Sequence, residues 1–305
     1  MKPTYKILLL ACLVVLATAC EDVINVSLDE SEPVLAIDGF ITDQPGTQLI
    51  RVTQTQAYFD NTFTDGVPGA IVTVTDTDGR TYDFDDQGNG NYVWTPTGNE
   101  VMGAIGRGYS LRVSVQGQTY QATSFMNRVM PIDSIQFENR PSELGSPEGY
   151  YASVFARDFE GRGDTYWIRA FKNGVYLDKP EEINIAYDAA FSAGGNIDGQ
   201  YLITPIREGI NRFPDEAEDD DELAPLEVGD TVAVEIYSIT NDTYFFFEQM
   251  RNQLQNGGLF ALPLANVPTN IINANTSGPV AVGWFSASAV STASTIVEER
   301  PLLED

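Results

Sequence analysis

Short runs in which apolar and polar residues alternate recur along most of this chain, and they constrain its fold more than any other feature. Tyr109–Val115 alternates without interruption, and Ile71–Thr75 is rich in β-branched residues. Because successive side chains of a strand point to opposite faces, such runs predict half-buried strands. Turns rich in Gly and Asp, such as Asp76–Gly79, separate the runs. From Pro33 onward the pattern predicts a mainly β protein made of antiparallel sandwiches or barrels.

The spacing of these runs predicts two β-rich domains. Residues 33–129 have the length of one immunoglobulin-like or prealbumin-like sandwich. The segment Met130-Pro131-Ile132 reads as a junction, because the proline fixes the backbone just before a new apolar run. Residues 130–305 then form the second predicted domain, in which Thr231–Ile239 is the clearest strand.

The apolar period changes once, near residue 243. Tyr244, Phe247, Met250 and Leu254 recur at helical spacing, and Asn241-Asp242 stands before them as a cap. Gly257-Gly258 follows as a stop signal. We therefore expect one α-helix near residues 243–255, with its apolar stripe packed on the second β domain.

The first twenty residues read as the leader of a bacterial lipoprotein. Lys2 and Lys6 precede an apolar stretch too short to span a bilayer, and small residues come just before Cys20. We expect residues 1–19 to be a lipoprotein signal peptide, Cys20 to carry the lipid, and residues 20–32 to be an acidic tether. The alternative is an ordinary secretory signal with a cysteine there by chance.

Composition excludes several classes of protein. The chain has no His, so it lacks imidazole for triads and metal sites. Its two cysteines, Cys12 and Cys20, both lie in or at the end of the leader, which leaves no structural disulfide. The formal charge of −27 argues against binding of nucleic acid. We expect no cofactor, no resident metal and no catalytic residue.

Several segments, in their order along nearly the whole mature chain, resemble a known family. They are the leader up to Cys20, Ala36–Ile41, Tyr58-Phe59, Val67–Val72, Pro131–Ile135, the helix around Tyr244, Val267–Ile271 and Val282–Ser288. The chain resembles outer-membrane lipoproteins of Bacteroidota catalogued as domain of unknown function 4249. That resemblance implies a companion of a TonB-dependent receptor barrel, and it implies no catalytic residue.

Two segments are candidate sites. The loop Gln56–Gly66 carries Tyr58, Phe59 and Phe63, aromatic residues that could contact a ligand or a partner. The alternative is that they cover the end of the sandwich. The acidic run 215–222 contains Asp219, Asp220 and Asp221, which could bind calcium weakly, but such runs are more often solvated.

Other short patterns are less specific. Ser134 and Thr231 each follow an Asp in a three-residue pattern associated with O-glycosylation of Bacteroidota envelope proteins. Two carboxylates suffice for glycoside hydrolysis, but with 44 acids the sequence nominates no pair beyond the loop Asp158–Asp164. The Asp- and Gly-rich segments 76–79 and 85–90 read as hairpin turns rather than calcium loops.

Three functions follow as hypotheses. The first is a non-catalytic lipoprotein on the outer face of the outer membrane that helps a TonB-dependent receptor to capture or admit a nutrient. The second is an independent glycan- or protein-binding module, or an adhesion module. The third is a carboxylate-dependent glycoside hydrolase. The sequence identifies no ligand for any of them.

Overall fold

Alternating burial in strand after strand shows why the chain folds as sheets. In Gly108–Val115, the residues Tyr109, Leu111, Val113 and Val115 are buried while Ser110 and Arg112 face solvent. The computed structural model describes residues 32–56, 64–143, 146–195, 197–213, 224–256 and 266–303. The contacts of the chain separate Met1–Glu32 from a second compact unit, Pro33–Asp305.

Strands dominate the described residues, and the prediction of a mainly β fold is confirmed. The helices are α1 (Thr204–Glu208) and α2 (Asn241–Leu254), with a 3₁₀ helix at Pro180–Glu182. The strands are β1 (Leu35–Thr42), β2 (Gln48–Gln54), β3 (Ile71–Asp76), β4 (Thr81–Asp86), β5 (Asn91–Trp94), β6 (Gly108–Val115), β7 (Gln118–Phe125), β8 (Ile132–Arg140), β9 (Gly149–Ala156), β10 (Thr165–Lys172), β11 (Val175–Tyr176), β12 (Asn184–Tyr187), β13 (Thr231–Ile239), β14 (Ile272–Asn273), β15 (Ala281–Val282), β16 (Phe285–Ser288) and β17 (Val290–Ile296).

The first sheet contributes most of the residues of one apolar cluster. Its strands run in the order β14-β7-β6-β3-β4-β5-β2-β1-β15, and β16 also pairs with β1. Ile37, Ile50 and Val74 are fully buried in this cluster. Each such side chain contributes about 1.5–3 kcal/mol through removal from water.

Buried tyrosines fix the loops of the first sheet. Tyr92 on β5 donates its hydroxyl to the Val67 carbonyl at 2.7 Å and accepts from the Ala70 amide at 2.9 Å. The Val67–Ala70 segment is thereby held against β5, an interior strand of the sheet. At the β3–β4 connection, Asp76 accepts from the amides of Asp78 and Arg80, so segment 76–79 is a turn.

The second part of the unit contains two smaller sheets. One has the order β11-β10-β13-β17 with β12 also paired to β10, and the other is the β8-β9 pair. Ile168, Val234 and Ile236 are buried between them. The predicted boundary at 129/130 falls between β7 and β8, and the division into two domains stays a prediction.

The predicted helix near 243–255 is present as α2, but it begins earlier. The cap is Thr240, not Asn241-Asp242, because the Thr240 hydroxyl accepts from the Thr243 amide. Tyr244 and Phe247 are buried as expected, whereas Leu254 is 56% exposed. The predicted stop at Gly257-Gly258 lies outside the described residues.

The chain returns to the first sheet near its C-terminal end, which the alternation pattern did not reveal. Strands β15 and β16 lie parallel to β1, with Leu35 opposite Ala281 and Gly39 opposite Phe285. Strand β14 pairs with β7 at the opposite edge. The first sheet is therefore completed by residues that come after α2. Among the described residues, no helix is long and apolar enough to cross a membrane.

Candidate functional site

A cleft of about 580 Å³ opens where β7 of the first sheet approaches the beginning of α2. Phe125 and Ile272, 45% and 67% exposed, contribute apolar surface, and Trp284 closes the cleft while itself 4% exposed. Gln121 and Asp242 add polar groups. Concave sites with apolar walls and a few polar groups are typical of ligand recognition.

Gly283 allows Trp284 to reach this cleft. It separates β15 from β16 and has a φ of +101°, a conformation that other residues rarely adopt. A Cβ atom there would lie 2.2 Å from the Ile37 carbonyl oxygen. The Trp284 indole then donates to the Thr243 hydroxyl at 3.0 Å and stacks on Phe246 at 4.5 Å.

Asn270 fixes the other wall. Its side chain donates to the Phe285 carbonyl at 2.7 Å and accepts from the Phe285 amide at 2.9 Å, as a neighbouring strand would. Thr269 donates its hydroxyl to the Gly283 carbonyl at 2.8 Å. Two segments that carry the family resemblance, 267–271 and 282–288, thus hold each other in place. Asp242 is the one titratable side chain among the described lining residues.

A second group of polar residues surrounds the predicted loop Asp158–Asp164. Ligand atoms of Asp158, Asp188 and Asp198 all lie within 4.8 Å of one another. Asp158, 4% exposed, accepts from the Tyr166 hydroxyl at 2.7 Å. Asp188, 2% exposed, accepts from the Gly163 amide at 2.7 Å.

The electrostatics of this cluster follow from its burial. Removal from water raises the pKa of Asp158, and the charges of Asp164 and Asp188 raise it further, against the hydrogen bonds from Tyr166 and Gly199. The three carboxylates could serve as ligands for a hard divalent cation. Calcium takes six to eight oxygens, so backbone or water oxygens would have to complete the shell.

Sequence reasoning missed this grouping. It found the Asp158–Asp164 loop but had no reason to join Asp188 and Asp198 to it, because they come from separate turns far along the chain. The calcium prediction was made instead for Asp219, Asp220 and Asp221. Those three residues lie outside the described residues, as do Cys20, Tyr58, Phe59 and Phe63, and these predictions remain open.

The two predicted glycosylation sites lie on strands. Ser134 is half-buried on β8, beside an irregularity in its pairing with β9, and accepts from the Gln136 amide group at 3.2 Å. Thr231 begins β13, and its amide donates to Asn173 at 2.8 Å. Their modification stays a prediction.

Comparison with known proteins gives one family. A family model described as "Domain of unknown function (DUF4249)" matches residues 21–294. Comparison with curated proteins gives no match. The match covers the whole first sheet, both helices and the first five residues of β17.

Proposed function

The chain belongs to the DUF4249 family, and from this premise we propose that it is a non-catalytic lipoprotein of the outer membrane. Cys20 carries the lipid, the folded part faces the cell surface, and the protein assists a TonB-dependent receptor in the capture or admission of a nutrient. This proposal joins the leader, the family and the geometry of the cleft in one role.

The position at which the family match begins carries the proposal. The match starts at residue 21, immediately after Cys20, and the compact unit starts at Pro33. A leader removed before Cys20 would leave the entire matched region on the lipid-bearing side of the cut, with the compact unit joined to Cys20 through the short acidic segment. More than one acyl chain on that cysteine would anchor the protein stably.

The cleft beside Trp284 supports a binding role. Its walls are fixed by side chain to backbone hydrogen bonds, and Phe125 and Ile272 leave apolar surface exposed at its rim. Aromatic and aliphatic residues at the rim of a fixed cleft are suited to recognition of a ligand or a partner.

Palmitate labelling tests the anchor, and Cys12 offers a matched control. We expect the wild type and Cys12→Ala to incorporate labelled palmitate and to fractionate with the outer membrane. Cys20→Ala should lose the label. Continued labelling of Cys20→Ala would overturn the anchor at this residue.

Co-purification tests the receptor. From detergent-solubilised outer membrane, the wild type should bring a barrel receptor with it. Phe125→Asp, at the cleft rim, should weaken this association, whereas Val228→Asp should not, since Val228 is 55% exposed and does not line the cleft. A protein that always purifies alone would contradict the role.

The other two hypotheses predict different results. An independent glycan-binding or adhesion module would bind a glycan array while nutrient uptake stays normal in a deletion strain. A carboxylate-dependent hydrolase would turn over members of a glycan panel, which would contradict a non-catalytic role.

A further inference from the structure

A second cleft, of about 380 Å³, lies where β10 and β11 lead into the 3₁₀ helix Pro180–Glu182. Three of its nine lining residues are basic: Lys172, Lys179 and Arg212. The whole chain has 17 Lys and Arg among 305 residues and a formal charge of −27. Basic residues are therefore concentrated at this cleft, beside two acidic lining residues, Asp178 and Glu182. Apart from Lys2 and Lys6 in the leader, its two lysines are all that the sequence contains.

Lys172 is held in a defined position. Its ammonium nitrogen lies 3.0 Å from Asp230 Oδ2, and Asp230 also accepts from the Asn173 side chain at 2.7 Å and the Glu227 amide at 2.9 Å. Partial burial acts to raise the pKa of Asp230, but these hydrogen bonds and the Lys172 charge outweigh it and lower the pKa. Asp230 therefore stays ionised at neutral pH and keeps Lys172 beside the cleft.

Lys179 is positioned by the backbone. Its ammonium donates to the Phe213 carbonyl at 2.5 Å. Glu182, 8% exposed, accepts from the amides of Lys179 and Phe213 at 2.9 and 3.0 Å. This carboxylate thus joins the two chain segments that carry Lys179 and Arg212. Donors fixed in advance lose less conformational entropy when a ligand binds.

The remaining wall is apolar and aromatic. Leu177 is buried, Val175 is 67% exposed, and Tyr176 lies between them in sequence. The Arg169 guanidinium carbon is 4.2 Å from the centroid of the Tyr176 ring, which fixes the ring by a cation–π contact. A lining that combines cationic donors with apolar and aromatic surface favours a ligand with both kinds of group.

We propose that this cleft binds a small organic anion, in which a carboxylate or phosphate group contacts Lys172, Lys179 and Arg212 while a compact body lies against Tyr176 and Val175. Charged donors make the stronger hydrogen bonds to oxyanions, and the cleft volume falls within the range of small-molecule sites. The binding needs no receptor, so its failure and the failure of receptor association are separate results.

Calorimetric titration of the full chain in detergent tests the site with three anions: inorganic phosphate, citrate and glucuronate. Glucose serves as the neutral comparison for glucuronate, and sodium chloride at equal ionic strength controls for screening. We expect saturable binding of at least one anion, and the comparison of phosphate with the two carboxylates identifies the preferred group. Absence of saturable binding for all three, or equal effects of sodium chloride, would overturn the proposal.

Variants locate the binding. Lys172→Gln and Lys179→Gln should each raise the dissociation constant at least tenfold. Lys179→Arg, which keeps the charge, should raise it less. Arg80→Gln removes the same charge far from the cleft, where Arg80 pairs with Glu100, and should change binding less than twofold. Equal affinity in all variants would place the anion elsewhere and contradict the proposal.

A second measurement does not depend on the folding of any variant. Reductive methylation with ¹³C-formaldehyde labels Lys172 and Lys179, the two lysines that remain once the leader is removed before Cys20. Both signals should shift saturably with the anion that binds, and neither should shift with sodium chloride at equal ionic strength. Equal shifts with sodium chloride would indicate a general ionic effect and would overturn the site.

Discussion

At the scale of single residues, the buried serines separate the effect of a hydrogen bond from that of burial. Ser238 and Ser288 are both 0% exposed. The Ser238 hydroxyl donates to the Asn127 carbonyl at 2.8 Å and accepts from the Ala289 amide at 3.0 Å. The Ser288 hydroxyl has no hydrogen-bond partner among the described residues. The two positions therefore form a pair that is equal in burial and differs in the hydrogen bonding of the hydroxyl.

We predict that Ser238→Ala lowers the free energy of unfolding by about 1–3 kcal/mol, because it removes the hydroxyl that pairs the buried Ala289 amide and the partly buried Asn127 carbonyl. Ser288→Ala should be neutral or should raise stability by up to about 1 kcal/mol, since it removes a polar group whose burial is not compensated. Urea denaturation of both variants measures the difference. Equal losses in the two variants would contradict the assignment of partners.

The buried carboxylate of Asp158 predicts a dependence on pH. Because its pKa is raised in the folded protein, mainly by burial, the folded state binds this proton more tightly than the unfolded state does. That stabilising contribution is complete below the unfolded pKa and is lost as the pH rises through the folded pKa. We therefore expect Asp158→Asn to be more stable than the wild type at pH 7, with a difference that narrows toward pH 4.

Asp86 is a control of opposite sign for this measurement. Hydrogen bonds from the amides of Gly69 and Gly88 lower its pKa, so its contribution is present at neutral pH and is lost as the pH falls. Asp86→Asn should be less stable than the wild type at pH 7. Denaturation of both variants from pH 4 to 8, with a chelator present to remove divalent cations, checks both signs. If Asp158→Asn is less stable than the wild type at pH 7, the sign expected for Asp158 is wrong.

At the scale of elements, Gly283 makes the junction between β15 and β16. Gly283→Ala combines a φ of +101° with a Cβ placed 2.2 Å from the Ile37 carbonyl oxygen, so β1 or β15 must shift. Gly98→Ala is the matched control, because Gly98 has a φ of +68° but open space around it. We expect about 1–2 kcal/mol of destabilisation for Gly98→Ala and a clearly larger loss for Gly283→Ala. Thermal denaturation measures both, and equal losses would contradict the close approach.

Elements with a clear period could be predicted from the sequence, whereas those defined by distant partners could not. β6 and α2 are visible because alternation and helical spacing are local properties of the chain. β14 and β15 have two residues each, too few to show a period, and exist through pairing with β7 and β1. The cleft beside Trp284 and the carboxylate cluster around Asp158 join residues distant in sequence, so no spacing rule indicates them. The second cleft lies largely within residues 172–182, but Arg212 comes from a distant segment and has no local pattern that joins it to them.

At the scale of the whole molecule, the return of the chain couples its two parts. β16 pairs with β1 and contributes Phe285 and Ala287 to the first apolar cluster, and the next strand, β17, pairs with β13 of the second sheet. A single residue, Ala289, separates these strands. Because so short a connection transmits any displacement, loss of one sheet should remove support from the other.

We therefore predict one cooperative unfolding transition, which the tryptophans can report separately. Trp94 lies in the first apolar cluster, and Trp167 on β10 packs against Tyr237 and Phe247. The double variant Trp167→Phe/Trp284→Phe keeps Trp94 and reports the first sheet. The double variant Trp94→Phe/Trp284→Phe keeps Trp167 and reports the sheet β11-β10-β13-β17. Val74→Ala is then introduced into each double variant, where it creates a cavity at a fully buried site of the first sheet. We expect it to lower the free energy of unfolding by roughly 2 kcal/mol. The urea midpoint should fall equally for both tryptophan probes. A lower midpoint for Trp94 alone would show that the two parts unfold independently, as separate domains would.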